Sequence, residues 1–182
     1  MDWSRDGAAI LIFVIGGNAR GRDLSYVDPR GGEAQPVPYL HSPFNEWWAR
    51  FAPEPNPRWI AYQADDSGRS EIYIDSFPKP SARRQVSTSG GQFPQWGPGG
   101  RELFFVAPDG ALTSVRITLG GAAVDSSSPS PLFRLPIVDT GRSPYEVAPD
   151  GQRFLVRAIP RQAAEPLTAI VSWPSLLGTK PE

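Results

Sequence analysis

The feature that most constrains this chain is that it repeats itself. Trp3-Ser4-Arg5-Asp6-Gly7 leads into the apolar run Ile10–Ile15, and Phe51-Ala52-Pro53 leads through Arg58 into Trp59-Ile60-Ala61-Tyr62. Trp96-Gly97-Pro98-Gly99-Gly100-Arg101 leads into Glu102-Leu103-Phe104-Phe105-Val106, and Val147-Ala148-Pro149-Asp150-Gly151-Gln152-Arg153 into Phe154-Leu155-Val156. The anchors stand at 3, 51, 96 and 147, spaced 48, 45 and 51 residues. A period in this range changes the meaning of every motif inside it, because each copy is a unit that must bury its faces against its neighbours.

Each anchor reads as a short strand, a tight Pro/Gly turn and a strongly apolar second strand. A third strand follows at 23–27, 71–75, 111–117 and 167–173, and a fourth at 38–40, 84–87 and 131–135. With 21 Pro and 18 Gly as punctuation, almost no helix is expected. Four antiparallel strands per forty to fifty residues is the period of a propeller blade. The chain is therefore expected to be all-β: a β-propeller segment of four consecutive four-stranded blades, at about 1–43, 44–90, 91–140 and 141–177, with a tail at 178–182. Blades packed on both faces explain why 103–106 is continuously apolar rather than alternating. The last blade is expected to lack its outer strand, since Pro174 interrupts the segment after Trp173.

The opening run could instead be an export leader. Its start carries Asp2, Arg5 and Asp6, net negative where a leader is positive, and five of the six residues of Ile10–Ile15 are β-branched or aromatic. Asp6-Gly7 is a tight-turn signal. We read the run as a strand buried between neighbours. Propellers close with four to eight blades, so the segment is expected to belong to a larger ring, to complete one by self-association, or to form a strained small ring or open arc.

The pattern Trp/Phe-Ser/Ala-Pro-Asp-Gly followed by an apolar strand, with Asp65-Asp66-Ser67-Gly68-Arg69-Ser70-Glu71-Ile72-Tyr73 between second and third strands, resembles TolB-type, WD40-like propeller repeats. More narrowly, Leu40-His41-Ser42-Pro43-Phe44-Asn45-Glu46, Pro94-Gln95-Trp96 and 148–156 are similar to the C-terminal propeller of large bacterial serine/threonine protein kinases. Blade two departs from the pattern with Pro53-Glu54-Pro55-Asn56-Pro57 in place of a short turn, blade one has Arg5 for Pro, and blade three loses the Asp. The resemblance implies a binding module of a bacterial signalling protein, extracytoplasmic if the kinase-like parent holds and otherwise cytoplasmic.

The residues offer little chemistry. Eighteen basic and nineteen acidic residues, spread without blocks, leave no footprint for nucleic acid, and no apolar stretch is long enough for a membrane helix. Without cysteine there is no disulfide, thiolate metal site or Cys nucleophile. No phosphate loop, His-Arg-Asp, Asp-Phe-Gly or Gly-x-Ser-x-Gly motif is present, so neither kinase nor hydrolase catalysis is encoded here. His41 is the sole histidine, read as an exposed or locally bonded loop residue, and Asp65-Asp66-Ser67-Gly68 as a turn rather than a cation loop. No catalytic residue, cofactor or metal ligand is assigned.

Phe44, Trp47, Trp48 and Phe51 form the most unusual local cluster. Strand alternation would put Trp47 and Phe51 on one face and Trp48 on the other. Packing between blades is the favoured role, leaving Trp48 and Phe44 as candidate contacts for a partner. Arg20, Arg22, Arg83 and Arg84 form a candidate basic rim, best read as solvated surface. The expected function is a non-catalytic binding or scaffolding module for a protein or peptide, with Trp48, Phe44, His41, Arg83 and Arg84 as candidate contacts. The alternatives are a catalytic or ligand site in the central channel of a completed ring, and a purely structural fragment.

Overall fold

The computed structural model describes residues 1–15, 21–31, 35–121, 123–136, 141–158 and the backbone of 169–171. Sixteen strands form four antiparallel sheets in chain order. The first sheet joins β1 (Asp2–Trp3), β2 (Ile10–Ile15), β3 (Arg22–Val27) and β4 (Val37–Leu40). The second joins β5 (Glu46–Phe51), β6 (Trp59–Ala64), β7 (Glu71–Ser76) and β8 (Arg84–Gln85). The third holds β9 (Gln92–Trp96), β10 (Glu102–Val106), β11 (Ala111–Leu119), β12 (Val124–Ser126) and β13 (Ser130–Arg134), with a 3-10 turn at Pro98–Gly100. The fourth contains β14 (Tyr145–Val147), β15 (Arg153–Val156) and β16 (Ala169–Val171). No α-helix occurs among the described residues.

The anchors are structurally equivalent. Trp3 pairs with Ile10, Phe51 with Ile60, Trp96 with Leu103 and Val147 with Phe154, so each closes the same hairpin. Positive-φ glycines serve the turns: Gly7 at φ 69° and Gly151 at φ 68° sit where a side chain would be strained. The Asp65 to Gly68 segment is a turn as expected, closed by the Gly68 amide donating to the Asp65 carbonyl at 2.9 Å.

Three apolar clusters lie between successive sheets. Leu11 and Leu24 of the first sheet meet Ile60 and Tyr62 of the second. The opposite face of the second, with Trp59, Ala61, Ile72 and Ile74, meets Leu103, Phe105, Val115 and Ile117. The far face of the third, with Phe104, Val106 and Leu112, meets Tyr145, Phe154 and Val156. Odd and even positions of one strand thus serve different neighbours, which is why β6 is buried throughout. Each large side chain so enclosed contributes roughly 1.5–3 kcal/mol.

Two expectations require correction. Ile10–Ile15 is not buried between neighbours: Leu11 is 1% exposed, but Phe13, Val14 and Ile15 are 44%, 37% and 72% exposed. Ile10, Ile12 and Val14 point away from the second sheet, and among the described residues no sheet covers that side. The third sheet also has a fifth strand. β11 is long enough to pair with β13 through Ala111 to Ser114 and with β12 through Ile117 to Leu119, the Gly120 amide closing the turn on the Ala123 carbonyl at 2.8 Å. The absent outer strand of the last blade and the tail at 178–182 lie outside the described residues.

Candidate functional site

The first strand of the second sheet is interrupted by a bulge. Trp47 pairs with Gln63 and Arg50 with Ala61, so Trp48 and Ala49 together face one residue, Tyr62. The same happens in the third sheet: Gln92 pairs with Val106 and Gln95 with Phe104, leaving Phe93 and Pro94 opposite Phe105. Trp48 and Phe93 each stand three residues before an anchor, and each has a left-handed backbone, with φ of 54° and 58°. These are the non-glycine residues with positive φ among the described ones. For a bulky residue that conformation costs roughly 1–3 kcal/mol and persists only where surroundings enforce it.

The enforcing contacts are visible. The Phe93 amide donates to Gln63 Oε1 at 3.2 Å, and Gln63, itself 2% exposed, is held by its Nε2 donating to Ser70 Oγ at 3.1 Å. From the other side the Tyr145 hydroxyl donates to the Phe93 carbonyl at 2.9 Å, and burial pushes that phenol well above its ordinary pKa, keeping it a donor. The two bulged rings meet edge to face, centroids 5.1 Å apart at 67°.

Around this pair lies a cleft of about 250 Å³ lined by Phe13, Arg22, Trp47, Trp48, Gln92 and Phe93. The Arg22 guanidinium stands 5.6 Å from the Trp47 ring centroid and 6.0 Å from that of Phe13. Its backbone amide donates to Asn45 Oδ1 at 3.2 Å, and Asn45 is fixed by Asp65 through donated bonds of 2.8 and 2.7 Å. Gln92 and Phe93 also line a second cleft of about 630 Å³, which continues past Val106 and Leu135 to Arg69 and Arg142. The two clefts have Gln92 and Phe93 as a common wall and together make a groove, with Phe13, Trp47 and Trp48 on its smaller side.

Of the five candidate contacts, Trp48 alone lines this groove; Trp47 of the aromatic cluster and Arg22 of the expected basic rim line it as well. His41 places Nδ1 3.0 Å from Asp23 Oδ2, with its side chain 62% exposed. Phe44 is 44% exposed on the connection between the first two sheets, its amide donating to Ser42 Oγ at 3.1 Å. Arg83 is no free rim: it holds Asp66 with two bonds of 2.6 and 2.9 Å and lies 3.8 Å over the Tyr73 ring. Burial opposes its charge, but Asp66 and the two nearby tyrosines outweigh that effect and raise its pKa. Arg84 is exposed on β8, in register with Ile74. Arg20 lies outside the described residues.

The alternation argument also fails at the bulge. Phe51 pairs with Ile60 and Trp47 with Gln63, positions of opposite facing on β6, so Trp47 and Phe51 do not share a face. Sequence reasoning missed Phe93 and Gln92 altogether; the available signal was an aromatic three residues before both the second and third anchors.

A different constellation sits between the sheets. Glu71, fully buried, accepts from Ser87 Oγ, from the Gly90 amide at 2.9 Å and from Arg69 Nε at 2.7 Å. Asp23 occupies the corresponding place in the first sheet, because Leu24 faces Phe13 as Ile72 faces Gln63. Asp23 Oδ1 and Glu46 Oε2 are buried without a hydrogen-bond partner among the described residues. Burial pushes Glu46 up; the hydrogen bond from Ser42 opposes this, and the Asp23 and Asp66 carboxylates add to it. Among the described residues no three His, Asp or Glu side chains converge as metal ligands, and no helix is long and apolar enough to cross a membrane.

No protein-family model and no curated protein sequence matches the chain. Solved structures do. TolB from Acinetobacter baumannii superposes with a TM-score of 0.61 at 14% identity, covering 94% of this chain and 40% of that one. A putative TolB from Agrobacterium tumefaciens gives 0.53 at 20% identity, covering 73% of this chain and 49% of that one. The chain thus spans less than half the length of either structure, and what they share with it is an all-β, TolB-like propeller fold.

Proposed function

We propose that the chain is a non-catalytic propeller module that receives an extended segment of a protein partner in the groove around Trp48 and Phe93. The observation that carries this reading is the repetition of one costly device: an aromatic residue in left-handed conformation, at the same bulge, in two consecutive sheets. Phe93 also packs against the cluster between the third and fourth sheets, but Trp48 belongs to none of the three buried clusters among the described residues, so interior packing does not account for both. Extended main chain laid over paired rings, with Gln92 beside them to bond it, is a chemistry that such a groove suits.

The motifs at 40–46, 94–96 and 148–156 support a finer reading, in which the parent is a bacterial serine/threonine kinase-like signalling protein and this module is its extracytoplasmic docking part. The direct test of the groove is selection of a displayed random peptide library on the purified chain, with Trp48→Ala and Arg84→Ala as controls. Peptides that bind the wild type and Arg84→Ala but not Trp48→Ala support the reading. Selection that proceeds equally well on Trp48→Ala overturns it.

A further inference from the structure

We propose that the occupant of this groove is an acidic extended peptide segment, selected by Arg22 and Arg142 from the two clefts that share Phe93; this rests on the groove reading above. The chain as a whole carries a net charge of −1, so nothing global favours an anionic ligand. The groove differs from that average. Four charged side chains belong to its walls: Arg22 in the smaller cleft, and Arg69, Asp109 and Arg142 in the larger.

Two of these are internally neutralised. Arg69 bonds Glu71 through Nε at 2.7 Å, and Asp109 is held by Arg134 at 2.8 Å. Arg22 and Arg142 form no ion pair among the described residues, and both are exposed. Arg142 lines the larger cleft and its chain neighbour Gly141 the smaller one, which Arg22 lines. Among the described residues the groove therefore offers two exposed guanidinium groups without an ion pair, beside aromatic side chains.

The setting of Arg22 makes it a recognition group. Its guanidinium lies near the Trp47 and Phe13 rings, and Asn45 fixes the backbone from which it extends, so the charge is presented from a held position beside aromatic surface. The planar fork suits a carboxylate in two-point contact. Aspartate and glutamate side chains and a free peptide C-terminus all offer that group, and the test separates them.

The same library selection reads the answer by composition. On the wild type, peptides whose binding depends on Trp48 are expected to be enriched in Asp and Glu by about two-fold or more over the unselected library, with Lys and Arg depleted. Arg22→Gln and Arg142→Gln are expected to abolish that bias while still selecting peptides that depend on Trp48. Acidic residues inside the peptides indicate side-chain carboxylates, and retention of binding only with a free C-terminal end indicates the terminus. Trp48-dependent peptides with no acidic bias overturn this proposal and leave the groove reading standing. If no Trp48-dependent peptides emerge, the groove reading fails and this proposal fails with it.

Discussion

Trp59 and Trp48 lie on adjacent strands of one sheet and are held by opposite means. Trp59 is 2% exposed, sits in a regular strand and packs among Ile72, Ile74 and Leu103. Trp48 is only partly buried, breaks the register of its strand and adopts φ of 54°. The first lowers the free energy of the fold through area removed from water. The second raises it locally, and its ring meets Phe93 of the next sheet edge to face. In this sheet the relaxed ring builds an interface and the strained ring lines the groove.

The buried acids repeat the lesson in charge. Glu71 has three donors for its carboxylate, whereas Asp23 and Glu46 each leave an oxygen without one among the described residues. The Glu71 carboxylate is satisfied, and the Asp23–Glu46 pair is under electrostatic tension.

These contrasts can be broken in order of expected size. Trp59→Ala leaves a cavity between the second and third sheets and is expected to lower stability by roughly 3–5 kcal/mol, measured by urea denaturation. Glu71→Ala strands Ser87, the Gly90 amide and Arg69, and a loss of about 3 kcal/mol is expected. Asp23→Asn removes one of two neighbouring buried carboxylates and is expected to change stability by less than about 1 kcal/mol. If the two acid variants lose equally, the contrast between the interfaces is gone.

The smallest effect is in pH. Glu46 holds its proton more tightly in the fold than its ordinary value of 4.5 allows, so its contribution is fully present below that value and is lost as pH rises through the raised one. Glu46→Gln stays neutral throughout. The variant is expected to exceed the wild type in stability at pH 7 and to lose that advantage toward pH 4.5. Glu102, also raised by burial, is common to both proteins and cancels in the comparison. A difference that does not vary with pH would remove the tension assigned to Glu46.

Much of the fold could be read from residues alone, because its signals are local. The turns at Asp6-Gly7 and Asp150-Gly151 and the apolar strands after them needed only neighbouring positions, and all four anchors pair as their spacing implied. The groove was less accessible. Which way Trp47, Trp48 and Phe51 point depends on a bulge set by pairing with the next strand, and simple alternation gives the wrong faces. Phe93 looked like one apolar residue among many until its register placed it against Trp48. Burial of Ile10–Ile15 was overestimated for a related reason: apolarity reports what a strand can bury, and exposure depends on which neighbours are there.

The account turns on whether Trp48 serves the fold or a partner, and Trp48→Gly asks this directly. Glycine adopts the left-handed backbone without strain, so release of strain offsets the lost packing, and urea denaturation is expected to give a stability within about 1 kcal/mol of the wild type. The same variant is expected to lose the peptides selected on the wild type. A loss of 3 kcal/mol or more, comparable to Trp59→Ala, would make Trp48 a core residue and contradict the account.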